Sequence, residues 1–203
     1  MDSCRRPRRG AHTVSQKSRG TVYVALLRGV NVGGKNAISM KPLKTSFETL
    51  GLQDVRTFIN SGNVLFRSTR TNARAIERDI DRVLANEHGL TSKAVVRSDA
   101  EMSRLVKTID ARWKPDARWK YNVIFLRHPI DSPRVLDGLV PKPEIERVFY
   151  YPGTLLWSAL VSSLTRTTML KLSGLPVYQD MTVRSVSTTR RILDLMRQMK
   201  QPH

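Results

Sequence analysis

Residues 21–35 have the sequence TVYVALLRGVNVGGK. The first eight of these residues form an apolar, β-branched run without polar alternation, and such a run predicts a strand that is buried on both faces. A glycine-rich loop follows the strand. After the loop, one helical stripe collects the apolar side chains Met40, Leu43, Phe47 and Leu50. This part of the chain therefore predicts a strand, a loop and an amphipathic helix in succession.

The next elements continue the alternation of strands and helices. Residues 55–60 and 64–67 predict a hairpin around Ser61-Gly62-Asn63. A second amphipathic helix is indicated by the stripe Ile76, Ile80, Val83 and Leu84, and residues 93–97 predict a fourth strand. The resulting order, β-α-β-β-α-β, is that of the ferredoxin-like split βαβ unit.

The same order of elements recurs later in the chain, after a helix that begins with the capping box Ser98-x-x-Glu101. Short sequences recur with it: Val96-Arg97-Ser98 resembles Val183-Arg184-Ser185, and Leu27-Arg28 resembles Leu126-Arg127. This repetition favours two units over one larger sheet. We therefore predict an α+β fold with two ferredoxin-like units, each an antiparallel sheet with helices. Residues 21–112 form the first, residues 113–203 form the second with a C-terminal helix, and residues 1–20 are a disordered basic leader.

The chain is strongly basic, with 35 Lys and Arg residues against 17 Asp and Glu residues and a formal net charge of +18. Residues 1–20 contain six basic residues and one acidic residue, so +5 of this charge lies in the leader and +13 in the remaining chain. A basic protein attracts polyanions, and phosphate contacts would make such binding sensitive to salt.

Other features of the composition exclude several classes of protein. The hydrophobic content of 40% is too high for a disordered chain, and the longest apolar stretch, Val22 to Leu27, is too short to span a membrane. A single cysteine, Cys4, excludes a disulfide framework and indicates a reducing compartment. We therefore expect a cytoplasmic protein without membrane partners.

The segment Leu26-Leu27-Arg28-Gly29-Val30-Asn31-Val32-Gly33-Gly34-Lys35 closely resembles an uncharacterised bacterial family, domain of unknown function 1697. The resemblance continues through Val55-Arg56-Thr57, Ser61-Gly62-Asn63-Val64 and Thr182-x-Arg184 with Thr188, and it covers roughly residues 21–199. It implies ferredoxin-like domains but no particular reaction. The family usually has Asn-Trp after the Thr-x-Arg pattern, where this chain has Ser185-Val186.

The predicted topology brings the glycine-rich loop and the hairpin turn to one edge of the sheet, because the first two strands are parallel with the third between them. An anion could bind there, since glycines can turn successive amides toward a phosphate at a helix N-terminus. In this hypothesis Arg28 and Lys35 supply charge and Gly33 and Gly34 supply amides. Orienting hydrogen bonds would come from Asn31, Ser61 and Asn63, and the candidate ligand-binding residues are Arg28, Asn31, Gly33, Gly34, Lys35, Asn36, Ser61, Gly62 and Asn63.

Other functions remain open at this stage. The partner would be a nucleotide or nucleic-acid phosphate, although the loop lacks the Walker A spacing. An enzyme acting on a phosphorylated small molecule could use the same edge, with catalytic residues unknown. Alternatively, the glycines and asparagines are structural, and the chain is a protein-interaction or assembly module with no ligand.

The remaining motifs indicate no catalytic set. The histidines show no metal-ligand spacing, so we expect neither a metal nor a cofactor. Ala-Arg-Trp-Lys occurs twice within residues 111–120, which suits either stacking on single-stranded nucleic acid or a connector whose tryptophans are packed. Glu77 and Asp81 share a helix face with several arginines, which predicts a solvated, ion-paired surface.

Overall fold

A computed structural model of the chain describes residues 20–31, 38–60, 62–114 and 116–201. The predicted basic leader lies outside the described residues except for Gly20. Among the residues described, no helix is both long enough and apolar enough to cross a membrane.

The first half of the chain forms a four-stranded antiparallel sheet with the strand order β2-β3-β1-β4. Two helices connect its strands and a third follows the last strand, in agreement with the predicted order of elements. The elements are β1 (Thr21–Leu27), α1 (Met40–Thr49), β2 (Gln53–Phe58), β3 (Asn63–Ser68), α2 (Ala73–His88), β4 (Ala94–Ser98) and α3 (Asp99–Arg112).

The second half repeats this sheet with the strand order β6-β7-β5-β8, again antiparallel throughout. Its elements are β5 (Trp119–Leu126), β6 (Glu146–Tyr151), β7 (Thr154–Leu160), α4 (Thr168–Ser173), β8 (Met181–Ser185) and α5 (Val186–Lys200). The structure thus confirms an α+β fold with two antiparallel four-stranded sheets.

The connection between β5 and β6 differs from the sequence prediction. We expected a short helix over residues 132–139, and the structure has two 3-10 turns, His128–Ile130 and Pro133–Leu136. Pro129 and Pro133 lie at the starts of these turns. Because proline lacks the N–H that a continuous helix needs, each one begins a new turn.

The helix ends follow the capping signals in the sequence. Asn72 caps α2 by accepting a hydrogen bond from the backbone N–H of Ala75, and Gly89 ends that helix with φ +62°. The capping box of α3 is complete, because Ser98 Oγ accepts from Glu101 N and Glu101 Oε2 accepts from Ser98 N at 2.8 Å. These local contacts set the helix boundaries.

One apolar layer is shared by the two halves. Along β1 the side chains alternate, so that Val22, Val24 and Leu26 enter this layer and Tyr23, Ala25 and Leu27 pack with α1 and α2. Helices α3 and α5 pack against each other in the shared layer, which also contains buried side chains of β5. The layer crosses the predicted unit boundary at residues 112–113, and that boundary stays a prediction.

The outer face of the second sheet has its own apolar cluster. Ile124, Leu126, Leu155 and Trp157 are buried there, together with Leu172 of α4. Many of the partly buried side chains that cover the cluster come from 3-10 turns and their flanking residues, including a further turn, Pro176–Asp180, before β8: Ile130, Val135, Leu136, Leu139, Val177 and Tyr178. Short turns therefore take the place that long helices occupy on the outer face of the first sheet.

Glu77 is buried and Asp81 is partly buried, and both bond to the backbone of β4, so the prediction of a solvated face was wrong for this pair. Strand β4 is an edge strand, and its free N–H groups need partners outside the sheet. Glu77 Oε1 accepts from Val96 N at 2.9 Å, and Asp81 Oδ1 accepts from Ala94 N at 2.8 Å. Only 4% of Glu77 is exposed, and this burial raises its pKa although the Val96 N–H and the Arg97 charge oppose the shift.

Glu146 is a buried carboxylate that joins three elements of the second half. Its oxygens accept hydrogen bonds from Trp157 Nε1 at 3.0 Å, from Thr168 N at 2.8 Å and from Lys142 N at 3.2 Å. The Thr168 hydroxyl also donates to it. Burial alone would raise the pKa of Glu146, but the hydrogen bonds from Thr168 and Trp157 outweigh burial and lower the pKa below its ordinary 4.5.

Replacing this carboxylate should destabilise the protein. We expect Glu146→Gln to lower the free energy of unfolding at pH 7 by about 3 kcal/mol, because an amide places N–H groups against donors. The folded-state pKa is depressed, so the stabilisation exists above pH 4.5 and is lost as the pH falls through the folded pKa. Urea unfolding at pH 7 and pH 3 measures both effects. Exposed Glu144→Gln is the control, and an equal loss at both pH values would contradict this prediction.

Candidate functional site

The described ends of the loop after β1, residues 28–31 and Ile38, and the described residues of the turn between β2 and β3 lie together at one edge of the first sheet, as the topology predicted. Leu27 N donates to Gly62 O at 2.8 Å and thereby joins the end of β1 to the turn. The Asn31 side chain donates to Asn60 O at 2.8 Å and to Ile38 O at 3.0 Å, and it accepts from Ile38 N at 2.8 Å. Asn31 therefore connects both ends of the loop to the turn.

The described residues include four of the predicted ligand-binding residues: Arg28, Asn31, Gly62 and Asn63. The described side-chain bonds of the two asparagines go to the protein itself: those of Asn31 go to backbone groups, and Asn63 bonds to the Phe58 carbonyl and to the Arg184 side chain. The remaining candidates, Gly33, Gly34, Lys35, Asn36 and Ser61, lie outside the described residues. Contact of any of these residues with a ligand stays a prediction.

Several residues at this edge have a backbone in the left-handed region. Gly29, Asn31, Ile59 and Gly62 all have positive φ, at 65°, 54°, 49° and 74°. Ile59 is the unusual member, because a β-branched residue rarely adopts this conformation. Such strain persists only where the surrounding structure imposes it, and it is common at ligand-binding sites.

Arg184 of β8 reaches this edge from the second sheet, and its side chain is almost fully buried. Its Nε donates to Asn63 Oδ1 at 2.6 Å, and its Nη2 donates to Leu27 O at 2.9 Å and to Gly62 O at 3.3 Å. Burial lowers the pKa of Arg184 to about 10, so the guanidinium remains charged at neutral pH. The second half of the chain therefore places a buried positive charge behind the turn.

Arg97 of β4 makes the reciprocal contact with the second sheet. Its Nη2 donates to Leu126 O at 2.5 Å and to Gly153 O at 3.0 Å, and Leu126 N donates to Gly153 O at 2.9 Å. The contacts correspond to those of Arg184, with Leu126 and Gly153 in the places of Leu27 and Gly62. We call Arg97 and Arg184 the exchanged arginines. The repeated Val-Arg-Ser sequence that contains these arginines therefore has the same structural role in both halves.

Arg184 was not among the residues predicted for the site, although the sequence contained a signal for it. The Thr182-x-Arg184 pattern belonged to the family resemblance, but its distance along the chain concealed its contact with the loop. In the structure Thr182 Oγ1 accepts from Arg184 Nη1 at 2.8 Å. Ser185 caps α5, and Val186 is buried in the shared layer. The Ser-Val pair thus supplies both a helix cap and an apolar contact.

Arg28 lies at the rim of the edge and is partly exposed. Its backbone is fixed, because its N–H donates to Lys93 O at 3.1 Å and its carbonyl accepts from Ser92 Oγ at 2.6 Å. Its guanidinium carbon lies 5.2 Å from the centre of the Tyr178 ring. Among the described residues the guanidinium has no hydrogen-bond or ion-pair partner, so it can bind an anion.

The Ala-Arg-Trp-Lys repeats pack against the protein. Trp113 is buried, with its ring centre 5.1 Å from that of Tyr121, and the guanidinium of Arg147 lies 4.8 Å from the centre of the Trp119 ring. These contacts favour the connector over a stacking surface for nucleic acid. Within the described parts of the chain, no group of three or more His, Cys, Asp or Glu side chains could hold a metal ion.

Comparisons with known proteins support the resemblance at the level of family and fold. A family model described as protein of unknown function (DUF1697) matches residues 21–157. A solved structure, that of the conserved bacterial protein SP0830 from Streptococcus pneumoniae, is 26% identical with a TM-score of 0.75. The match covers 87% of this chain and 98% of that one. No curated protein matches the chain.

We expect Arg184→Met to lower the free energy of unfolding by about 3 kcal/mol. The substitution removes the hydrogen bonds that Arg184 donates to the carbonyls of Leu27 and Gly62 and to the Asn63 side chain, and losing charged hydrogen bonds to buried acceptors is costly. The control is Arg191→Met, which removes an exposed arginine of α5. Chemical denaturation of the two variants compares their losses of unfolding free energy. Equal stability of the two variants would show that Arg184 does not hold the edge together.

A pair of glycine substitutions separates backbone strain from crowding at the turn. Gly51 and Gly62 have nearly equal φ values, +75° and +74°. A Cβ at Gly51 would meet nothing within 4 Å, whereas a Cβ at Gly62 would lie 2.9 Å from Leu27 Cβ. We therefore expect Gly51→Ala to cost about 1 kcal/mol and Gly62→Ala about 3 kcal/mol in unfolding free energy. Similar losses in urea unfolding would mean that the turn can move away from β1.

Proposed function

The chain belongs to the family described as protein of unknown function (DUF1697), and we propose that it binds an anionic, phosphate-bearing ligand. The site is the edge formed by the loop of residues 28–36 and the turn of residues 61–63. Nucleotides and nucleic-acid backbones share the required phosphate chemistry. The observation that carries the proposal is the buried guanidinium of Arg184, which lies directly behind the turn.

A buried charge acts over a longer range than an exposed one, because little water or salt screens it. Arg184 lost its hydration on burial, and this loss lowers its pKa. An anion at the edge would offset part of that cost by favouring the charged form. The positive charge of the whole chain adds to this attraction.

Arg28 supplies the second charge in this proposal. Its fixed backbone holds the side chain at the rim, and the Tyr178 ring supports the guanidinium on one face. A planar guanidinium can donate two parallel hydrogen bonds to a phosphate. Arg28 would therefore orient the ligand, and the sequence-predicted amides of Gly33 and Gly34 would complete its surroundings.

The edge is also preorganised. The Asn31 side chain donates to the carbonyls of Ile38 and Asn60, and Arg184 donates to Asn63 Oδ1 and to the Gly62 carbonyl, so these side chains hold the loop ends and the turn. Strained residues such as Ile59 are held in the same turn. A site that is already ordered loses less conformational entropy when the ligand binds.

We also infer that each half is a ferredoxin-like unit, with residues 21–112 in the first and 113–203 in the second. The strand order β2-β3-β1-β4 and its repetition as β6-β7-β5-β8 support this inference. In the second unit, 3-10 turns replace the first connecting helix. The cytoplasmic location inferred from the single cysteine remains a proposal of the same kind.

Thermal unfolding of the full chain with AMP, glucose 6-phosphate and a short single-stranded RNA tests the binding proposal. A ligand at about a hundred times its dissociation constant adds about 2.7 kcal/mol of stability, which raises the midpoint by several degrees. We expect such a shift for at least one phosphate compound and its loss in Arg28→Ala. Lys171→Ala removes an exposed charge in α4 and should leave the shift unchanged.

The alternatives predict different results in the same experiment. A shift with RNA alone that disappears at moderate salt would identify a phosphate-backbone binder. A shift with glucose 6-phosphate, followed by its chemical conversion, would indicate an enzyme. Absence of any shift, or an equal loss in Arg28→Ala and Lys171→Ala, would contradict the proposed site and favour an assembly module.

A further inference from the structure

A cleft lies where Arg97 of the first sheet contacts the turn between β6 and β7 of the second sheet. It has a volume of about 280 Å³ and is bounded by α2, α3, β4 and the turn between β6 and β7. We call it the α2–α3 cleft. Arg97 and Gly153 belong to its lining, so it is the counterpart of the edge where Arg184 meets Gly62.

The carboxylates of the α2–α3 cleft already have partners within the protein. Glu77 accepts from Val96 N and lies 3.8 Å from Arg97 Nη1. Asp131 Oδ1 accepts from Gly153 N at 2.7 Å and from Tyr150 Oη at 3.0 Å. The third carboxylate, that of Glu101, belongs to the capping box of α3. The acidic side chains therefore have structural roles.

Three basic side chains of the cleft do not have such roles. Arg74 of α2, Arg104 of α3 and His128 line the cleft and are exposed. Among the described residues none of these side chains has a hydrogen-bond or ion-pair partner. The arginines and the carboxylates of the lining are equal in number, but the exposed lining side chains that have no described partner and can donate hydrogen bonds are all basic. This asymmetry favours an anion over a cation as the ligand.

The size of the cleft limits what the anion can carry. Pockets for drug-sized ligands have volumes of about 300–1,000 Å³, so 280 Å³ suits a phosphate with a short substituent. We propose that the α2–α3 cleft binds a small phosphate monoester through Arg74 and Arg104. Asp131 and Arg97 hold the Gly153 turn beneath it. This site is separate from the one in the proposed function and does not depend on it.

An NMR titration of the full chain with glycerol 3-phosphate tests this proposal. The amide of Gly153 reports on the cleft, and the amide of Gly62 reports on the edge of the first sheet. We expect Gly153 to shift and to saturate. In the double variant Arg74→Ala/Arg104→Ala, the affinity for glycerol 3-phosphate measured from the Gly153 shift should fall at least tenfold, because each arginine donates charged hydrogen bonds.

The matched control removes the same charge from the same two helices outside the cleft. Arg78→Ala/Lys107→Ala replaces exposed residues of α2 and α3 that do not line the cleft. We expect its affinity at Gly153 to stay within twofold of the unmodified chain. An equal loss in both double variants would show general attraction to a basic surface, and that result would overturn the proposal.

The same titration distinguishes a failure of the cleft proposal from a failure of the proposed function. If Gly62 shifts and Gly153 does not, the α2–α3 cleft is not a binding site, while the proposed function stands. A shift of Gly153 alone supports the cleft and leaves the first edge without this ligand. A Gly153 shift that occurs with a short RNA but not with glycerol 3-phosphate would identify a nucleic-acid backbone, rather than a phosphate monoester, as the ligand. That result would overturn the proposal.

Discussion

The exchanged arginines set a constraint that extends through the whole structure. Each guanidinium is attached to one sheet and bonds to carbonyl groups of the other, at the end of the first strand and at the hairpin turn of each sheet. Carbonyls beyond the end of a strand ladder have no partner within it, and buried carbonyls need one. Each half of the chain therefore adds a donor to strand-end and turn carbonyls of the other half, where Gly62 O and Gly153 O also accept from Leu27 N and Leu126 N of their own half. The shared layer around α3 and α5 adds apolar burial to the same association.

This exchange also determines where ligands could bind. The close approach of a strand end and a turn creates an edge in each half, and an arginine from the other half lies behind it. In the first half this edge carries the glycine-rich loop, and in the second half it opens into the α2–α3 cleft. Arg97 has a nearby carboxylate in Glu77, 3.8 Å away, so part of its charge is balanced within the protein. The two related edges thus differ in the charges that surround them.

Several local features were predictable from the sequence, and others were not. The capping box at Ser98 and the burial of β1 on both faces depend on residues close together in the chain, and the structure confirms both. The solvated face expected for Glu77 was wrong, because helical periodicity cannot show which strand edge lies beside the helix. The loop and the turn of the candidate site were predicted from the sequence. Arg184 was not, because its partner Leu27 lies 157 residues away.

The sequence by itself determined the order of the strands, the helices of the first half, the capping box of α3 and the burial of β1 on both faces, since these follow from periodicity and short-range hydrogen bonds. The tertiary structure alone decided which carboxylates cover the edge of β4, that α3 and α5 share one apolar layer, and which arginine serves which sheet. The physical reason is that a buried polar group must find a partner wherever the fold brings one. That partner depends on how the sheets approach each other, and no local pattern encodes this approach.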